Sequence, residues 1–149
     1  MGLRSAQLVA VRGGHKTLLH QLFLTGQCSG VQPGLGAGLV ALQAQYPCAQ
    51  IHGWEWSWPL ALLCQLRCRF ARVRRADIWA RDWSGCDLVY LFQRPESMPR
   101  ALEKAAAELR PGAWLVSLEF EALGWQPRAR LETVPGKPVW LYQVPFKRR

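Results

Sequence analysis

Glycines followed at a distance by an acidic residue form the most informative pattern in this chain. Gly34 and Gly36 open a helix-like segment, and Glu55 stands at the end of the short apolar strand Ile51–Trp54. Nineteen positions separate Gly36 from Glu55, close to the spacing of about 20 in nucleotide-binding βαβ units. Glycines let the backbone approach a ligand, and a carboxylate after the second strand can accept hydrogen bonds from both ribose hydroxyls. The pattern predicts a site for an adenosyl-type cofactor.

Strands that alternate with helices must position this site. Hydrophobic periodicity and end signals predict helices at Leu35–Gln45, at Leu60–Leu66 behind Ser57 as N-cap, and at Ser97–Arg110. The same reasoning predicts strands at Ile51–Trp54, Ala71–Arg74, Asp87–Phe92 and Ala113–Phe120, and a closing hairpin of Leu131–Val134 and Val139–Val144. This alternation predicts an α/β fold with a doubly wound, Rossmann-like sheet. The hairpin adds one antiparallel strand near the C-terminal end of a mostly parallel sheet.

The first 33 residues differ from the rest of the chain. No apolar strand directly precedes Gly34, because Gly26–Pro33 has the composition of a loop. Gln7–Val11 is the one strand-like stretch in this part. We therefore predict a divergent N-terminal segment over residues 1–33, which either is less ordered than the rest of the chain or pairs through Gln7–Val11 in place of the usual first strand, and one domain over residues 34–149.

Composition limits the class of protein. The chain has 149 residues, half of them hydrophobic, which is enough for one domain with a sizeable core. No apolar run is long enough to cross a bilayer, and no secretory signal is evident. The five cysteines are scattered and lack metal-ligand spacing, so we expect reduced thiols, a cytoplasmic location and no bound metal.

The net charge of +9 can be interpreted in two ways. Arginines cluster between Arg67 and Arg75, and Lys147–Arg149 form a second basic run. Such charge attracts nucleic acid, acidic proteins or anionic lipid. No nucleic-acid-binding motif accompanies the charge, so a solvated basic face is favoured over nucleic acid as a partner.

Further motifs make the chain resemble class I S-adenosylmethionine-dependent methyltransferases. The segment from Glu108 through Pro111-Gly112 to Val116 is similar to the helix, L-x-P-G-G and strand signature of that family. The glycine cluster, Glu55, Asp77 and the strand Asp87–Phe92 follow in the family's order. The resemblance covers Gly34–Phe146 and implies methyl transfer with S-adenosylmethionine as cofactor.

The resemblance also implies roles for particular residues. Gly34 and Gly36 match the glycine loop beneath the methionine part of the cofactor. Glu55, followed by Trp56, matches the acidic residue that holds the ribose hydroxyls. The remaining matches lie after the next strand: Asp77 corresponds to the acidic residue near the adenine amino group, with Ile78 or Trp79 against the ring.

The resemblance extends to a subgroup. Val116–Phe120 followed by Gly124-Trp125 is similar to a small group of protein-lysine methyltransferases, which makes a protein lysine one candidate acceptor. A lysine amine must lose its proton before it attacks, and a nearby carboxylate helps. Glu96 and Glu119, both near the expected methyl site, are the candidate catalytic residues.

One departure from the family pattern keeps other functions open. The family carries an acidic residue before its glycine loop, whereas this chain has Gly30-Val31-Gln32-Pro33 there. A non-catalytic, methyltransferase-like binding protein with an impaired cofactor site is one alternative. A Rossmann protein that binds a nicotinamide dinucleotide is another. The sequence identifies neither the methyl acceptor nor the oligomeric state.

Overall fold

A computed structural model describes residues 7–12, 50–92 and 94–149 and shows one large mixed sheet. Its seven strands lie in the order β3-β2-β1-β4-β5-β8-β7. The strands are β1 Gln7–Arg12, β2 Gln50–Glu55, β3 Arg72–Arg75, β4 Leu88–Phe92, β5 Trp114–Leu118, β7 Ala129–Val134 and β8 Lys137–Gln143. Two short strands, β6 Trp125–Gln126 and β9 Lys147–Arg148, pair separately.

Most strands of the large sheet run in one direction. β2 is parallel to β3, and β4 is parallel to β5. β8 is antiparallel to both β5 and β7, as expected for the closing hairpin. β4 lies inside the sheet between β1 and β5, which confirms its interpretation as a buried strand. The α/β class is confirmed.

The direction of the central strand corrects the predicted topology. β1 pairs with β2 through Gln7 and Glu55, and with β4 through Gln7 and Phe92, and both pairings are antiparallel. Two strands, β1 and β8, therefore run against the other five, so the expectation of a single antiparallel strand is wrong. The reason is that a six-residue strand fits either direction, and its partners decide which one it takes. As a consequence, the carboxyl end of β1 at Arg12 lies at the opposite edge from Glu55.

Two helices cover opposite faces of this sheet. Helix α1, Trp58–Arg67, buries Ala61 and Cys64 in a core with Leu88 and Tyr90 of β4. Helix α2, Met98–Glu108, packs on the alternate side of the same strand, because its core includes Val89 and Leu91. Successive side chains of a strand point to opposite faces, so the two cores lie on the two sides of the sheet.

The helix ends are set by proline and backbone geometry. Ser57 and Ser97 occupy the N-cap positions that the sequence predicts, but neither side chain makes a capping hydrogen bond. Pro59 and Pro99 stand in the first turns, where a missing N–H costs nothing. Within the described part of the chain, no helix is long and apolar enough to cross a membrane.

Candidate functional site

One edge of the sheet collects the acidic residues that the sequence singles out. β2, β3, β4 and β5 all run in one direction, so their carboxyl ends meet at this edge. Open α/β sheets bind ligands in the crevice outside these ends. Glu55 ends β2, Asp77 follows β3, Glu96 follows β4 and Glu119 follows β5. We call this the carboxyl edge.

Glu55 is a buried carboxylate at the junction of β2 and α1. Its side chain is only 1% exposed, and Oε1 accepts a hydrogen bond of 3.0 Å from the backbone N–H of Ser57. Glu55 lies on the same face as Ile51, which faces α1. A carboxylate beside the start of a helix is stabilised by the helix dipole. The side chain is thus held in place before any ligand arrives.

Asp77 lies beside Glu55 but is exposed. The backbone joins the two residues closely, because Ala76 N donates to Glu55 O at 3.2 Å. The Asp77 carboxylate accepts a 3.0 Å hydrogen bond from Trp79 N and begins a short 3₁₀ turn, Ile78–Ala80. On the neighbouring strand, β3, Arg75 places its guanidinium 5.5 Å from the centre of the Trp56 ring. Trp56 is half exposed.

The turn after Asp77 faces the α2 side of the sheet. Ile78 is buried in the α2 core, so in this structure it is a core residue with almost no accessible surface. Trp79 is half-buried, with its ring 6.4 Å from the ring of Trp83 and 4.4 Å from the guanidinium of Arg100. Of the two side chains expected against an adenine ring, Trp79 is the one with an accessible surface.

The end of β4 leads into a short exposed turn. Pro95–Ser97 form a 3₁₀ turn that runs directly into α2, and Glu96 lies exposed within it. The Glu96 side chain makes no hydrogen bond or ion pair with residues in the part of the chain that the structure describes. Glu96 is therefore an accessible carboxylate at the carboxyl edge without a fixed orientation.

Glu119 has an unusual backbone conformation at the carboxyl edge. Its φ is +68°, and it is the only residue other than glycine with a positive φ in the described ranges 7–12, 50–92 and 94–149. Phe120 N donates to Leu118 O at 2.9 Å, which closes a three-residue γ-turn around Glu119. Left-handed backbone costs a side-chain-bearing residue about 1–2 kcal/mol. Neighbouring contacts must therefore hold Glu119 in this conformation.

Three contacts hold the γ-turn. The buried hydroxyl of Ser117 donates to Phe120 O at 2.7 Å. Glu119 N donates to Pro138 O, also at 2.7 Å. The ammonium of Lys137, at the start of β8, lies 3.7 Å from Glu119 Oε1. The hairpin of β7 and β8 thus fixes the Glu119 carboxylate from the side.

The structure brings the predicted residues together in two groups. Glu55, Trp56, Asp77 and Trp79 lie at the ends of β2 and β3, whereas Glu119 lies past β5. Two strands separate β2 from β5, so the groups are about 14 Å apart at the usual strand spacing. Gly34 and Gly36 lie outside the described residues. Sequence reasoning missed the role of Lys137, which the Pro135–Pro138 turn could have suggested as a neighbour of β5.

The thiols near the site are unsuited to nucleophilic chemistry. Burial raises the pKa of the Cys64 thiol to about 11, and the charges of Cys68 and Glu55 add to this shift. Cys64 is therefore a neutral thiol at neutral pH, whereas the thiolate is the reactive form. Among the described residues, no three histidine, cysteine or acidic side chains lie close enough to hold a metal ion.

The donor set fits an adenosyl ligand. A ribose needs a fixed acceptor for its two hydroxyls, and Glu55 is a buried carboxylate at the end of β2. An adenine ring needs an acceptor for its amino group and a flat apolar surface, and Asp77 and Trp79 are residues of these two types after β3. Glu55 lies on the α1 face and Trp79 on the α2 face. A ligand that contacts both would lie across the carboxyl edge.

The fold is shared with a solved methyltransferase. An RNA methyltransferase from Salinibacter ruber, crystallised with S-adenosyl-L-homocysteine, matches this chain with a TM-score of 0.65 and 21% sequence identity. The match covers 74% of this chain and 76% of the other. A search of curated proteins finds no match.

A protein-family model gives the more direct assignment. The model of the ANTKMT methyltransferase domain matches residues 33–129, which is well over half of the chain. This match confirms the class I resemblance, the predicted S-adenosylmethionine-dependent methyl transfer and the cofactor that this reaction uses. The chain belongs to the ANTKMT methyltransferase domain family.

Proposed function

We propose that the chain methylates the side-chain amine of a protein lysine. The observation that carries this proposal is the pair of carboxylate groups at one sheet edge, Glu55 at the β2 end and Glu119 in a constrained turn past β5. One group can hold a cofactor, and the other can serve the acceptor. The similarity of Val116–Phe120 and Gly124-Trp125 to protein-lysine methyltransferases supports lysine as the acceptor.

Glu55 and Asp77 are the proposed cofactor ligands. The buried Glu55 carboxylate keeps one oxygen on Ser57 N and accepts the ribose hydroxyls with its remaining lone pairs. Asp77 accepts from the adenine amino group, and Trp79 lies against the ring. Trp56 closes the outer side of the site under Arg75. We also propose that the backbone of Gly34 and Gly36 lies beneath the methionine part of the cofactor.

Glu119 is the proposed proton acceptor. Bound S-adenosylmethionine supplies an electrophilic methyl carbon, which is carried by a sulfonium that becomes a neutral thioether when the lysine nitrogen bonds to the carbon. The lysine ammonium must first give up a proton, and the Glu119 carboxylate can take it. The γ-turn fixes the direction of that carboxylate. The ammonium of Lys137 lies 3.7 Å from this carboxylate. Glu96 is the second candidate for this role.

One feature favours a non-catalytic alternative. The central strand runs in reverse, so its carboxyl end at Arg12 lies at the edge away from Glu55. A methyltransferase-like protein with a weakened cofactor site is therefore the second candidate function. A nicotinamide dinucleotide could use the same Glu55 carboxylate for a ribose, so it is the family match that favours S-adenosylmethionine over this alternative.

The proposal also covers the domain division, the sheet arrangement, the location and the partners of the chain. We retain the division into a divergent segment, residues 1–33, and a domain, residues 34–149. A doubly wound arrangement is retained as well, with helices α1 and α2 on opposite faces as its described part. The buried thiols Cys64, Cys68 and Cys86 support a reducing, cytoplasmic location. Nucleic acid remains a disfavoured partner.

Calorimetric titration with S-adenosylhomocysteine tests the cofactor site. Wild type should bind, and Glu55→Ala should bind at least about tenfold more weakly, because hydrogen bonds to a charged acceptor are worth about 1.5–3 kcal/mol each. Glu103→Ala, which removes an exposed glutamate on α2, is the matched control and should bind like wild type. Equal affinity of Glu55→Ala and wild type would contradict the assignment.

Two further arms separate the alternatives. Tritiated S-adenosylmethionine should label lysine-containing peptides in a peptide array, and Glu119→Gln should lower this labelling while cofactor affinity is kept. A chain that binds neither S-adenosylhomocysteine nor S-adenosylmethionine would favour the non-catalytic function. A chain that binds NADH instead would favour the dinucleotide function.

A further inference from the structure

The outward face of helix α1 is apolar, which is unusual for a helix on a protein surface. Trp58, Leu62, Leu63 and Leu66 are each half exposed or more, with Trp58 at 62% and Leu66 at 61%. The inward positions Ala61 and Cys64 are buried against the sheet. A helix has about 3.6 residues per turn, so these four exposed side chains share the side away from the sheet.

Aromatic residues extend this face at both helix ends. Trp56 stands before the helix and is 51% exposed, and Phe70 follows it and is 43% exposed. The six side chains Trp56, Trp58, Leu62, Leu63, Leu66 and Phe70 define what we call the α1 surface. A contiguous exposed apolar surface marks an interaction site, because leaving it in water costs free energy.

Arginines flank the α1 surface at each end. Arg75 places its guanidinium 5.5 Å from the centre of the Trp56 ring at the start of the helix. Arg67 lies in the last turn, and Arg69 follows in the turn that leads to Phe70. All three are exposed. The surface therefore combines an apolar centre with positive charge at two ends.

We propose that the α1 surface docks on an anionic phospholipid membrane. Tryptophan and phenylalanine beside arginine are the residues that an interfacial helix presents, with the rings at headgroup depth and the cations on lipid phosphates. The positive charge is complementary to anionic lipid, and an apolar centre with cations at its two ends matches a bilayer surface, where phosphates lie outside the acyl chains. This docking does not require methyl transfer, although Trp56 and Arg75 also lie beside the proposed cofactor site.

Other occupants fit the same surface less well. Nucleic acid would stack on the aromatic rings and pair with the arginines, but it offers nothing apolar to Leu62, Leu63 and Leu66. A second copy of the chain would bring the flanking arginines of two molecules together, and each chain already carries a net charge of +9. These occupants become outcomes of the test.

Co-sedimentation of the full chain with lipid vesicles tests the proposal. Wild type should bind vesicles of equimolar phosphatidylserine and phosphatidylcholine, and should bind pure phosphatidylcholine vesicles much less. The double variant Leu62→Ser/Leu66→Ser should bind the anionic vesicles about tenfold more weakly. Leu123→Ser is the matched control, because Leu123 is 73% exposed outside the α1 surface and its loss should leave binding unchanged.

A charge series completes the test. Arg67→Gln/Arg69→Gln should weaken binding and reduce its dependence on salt, whereas Arg128→Gln, an exposed arginine elsewhere, should not. Circular dichroism should show unchanged thermal melting for all variants, since every substituted side chain is exposed. Absence of binding to anionic vesicles, equal binding by wild type and the leucine variant, or equal binding to neutral and anionic vesicles would overturn the proposal. Capture of single-stranded RNA, or dimerisation lost in the leucine variant, would assign the surface to that occupant instead.

Discussion

Two glutamates at the carboxyl edge are held in opposite ways. Glu55 belongs to the regular part of β2, in register with Arg75 of β3, and its side chain is buried. Glu119 lies just past β5 in a left-handed γ-turn, and its side chain is half-buried beside Lys137. A strand delivers the first carboxylate at no conformational cost, whereas the second depends on neighbours that maintain a strained backbone.

This difference indicates different roles. Strained backbone persists only where the surrounding structure over-determines it, and it is concentrated at functional sites. The Glu119 turn therefore points to a carboxylate whose direction matters more than local stability. Glu55 needs no such device, because a regular strand and the hydrogen bond from Ser57 N already fix its position.

The largest expected effect comes from the same substitution at both positions. Glu55→Ala should weaken S-adenosylhomocysteine binding by at least about tenfold, whereas Glu119→Ala should change the dissociation constant by less than about twofold. The reason is that two strands, β1 and β4, lie between β5, which precedes Glu119, and β2, which carries the proposed ribose site. Calorimetry on both variants measures the difference. Similar losses at the two positions would show that the groups form one binding site.

Next in size is the loss of the hydroxyl that holds the γ-turn. Ser117→Ala should lower the free energy of unfolding by about 1–2 kcal/mol, because Ser117 is fully buried and its hydrogen bond to Phe120 O is lost. Urea denaturation measures this change. Ser84→Ala, which removes an exposed hydroxyl bonded to Asp82, should have an effect within about 0.5 kcal/mol. If Ser117→Ala had the same free energy of unfolding as wild type, the turn would not depend on this hydrogen bond.

A smaller and opposite effect is expected at Glu119 itself. Glu119→Gly should be about 1 kcal/mol more stable than Glu119→Ala, since glycine adopts positive φ without a steric cost. Comparing glycine with alanine removes the shared loss of the carboxylate. Chemical denaturation of the two variants supplies the test. If alanine were as stable as glycine, the backbone at Glu119 would carry no strain.

The smallest effect belongs to the ion pair that completes the turn. Lys137→Ala should change the free energy of unfolding by no more than about 0.5 kcal/mol, because the Lys137 side chain is 52% exposed and surface ion pairs are screened by solvent. The same denaturation measurement at low and high salt should show a still smaller difference at high salt. A loss as large as that of Ser117→Ala would place the ion pair among the main supports of the turn.

The regular elements of the fold could be predicted from the hydrophobic pattern of the sequence. The predicted strand Asp87–Phe92 corresponds to β4, Leu88–Phe92, and the predicted helix Ser97–Arg110 contains α2, Met98–Glu108. These segments were predictable because a continuous apolar run and a capped amphipathic stripe are strong local signals. Gln7–Val11 was also recognised as strand-like, and β1 is Gln7–Arg12.

The local sequence pattern does not encode the direction of a strand or the strain of the backbone. The orientation of β1 depends on its pairing with β2 and β4, which lie far along the chain. The predicted strand Ala113–Phe120 extends past the real end of β5, because Glu119 turns left-handed without the glycine that usually marks such a position. The position of Glu55 at the end of β2 was predictable from its spacing, and its role as a ligand stays a prediction. The Lys137 contact depends on the tertiary position of the hairpin.

The reversed central strand also makes the sheet depend on a very short segment. β1 is the only described strand that joins the β2–β3 pair to the group formed by β4, β5, β8 and β7. Without Gln7–Arg12, the sheet would divide into two smaller sheets, and β2 and β4 would each present a row of unpaired backbone groups. Unprotected strand edges template aggregation. Within the described part of the chain, the six residues of β1 therefore cover the inner edges of both β2 and β4, and loss of this strand is expected to promote aggregation.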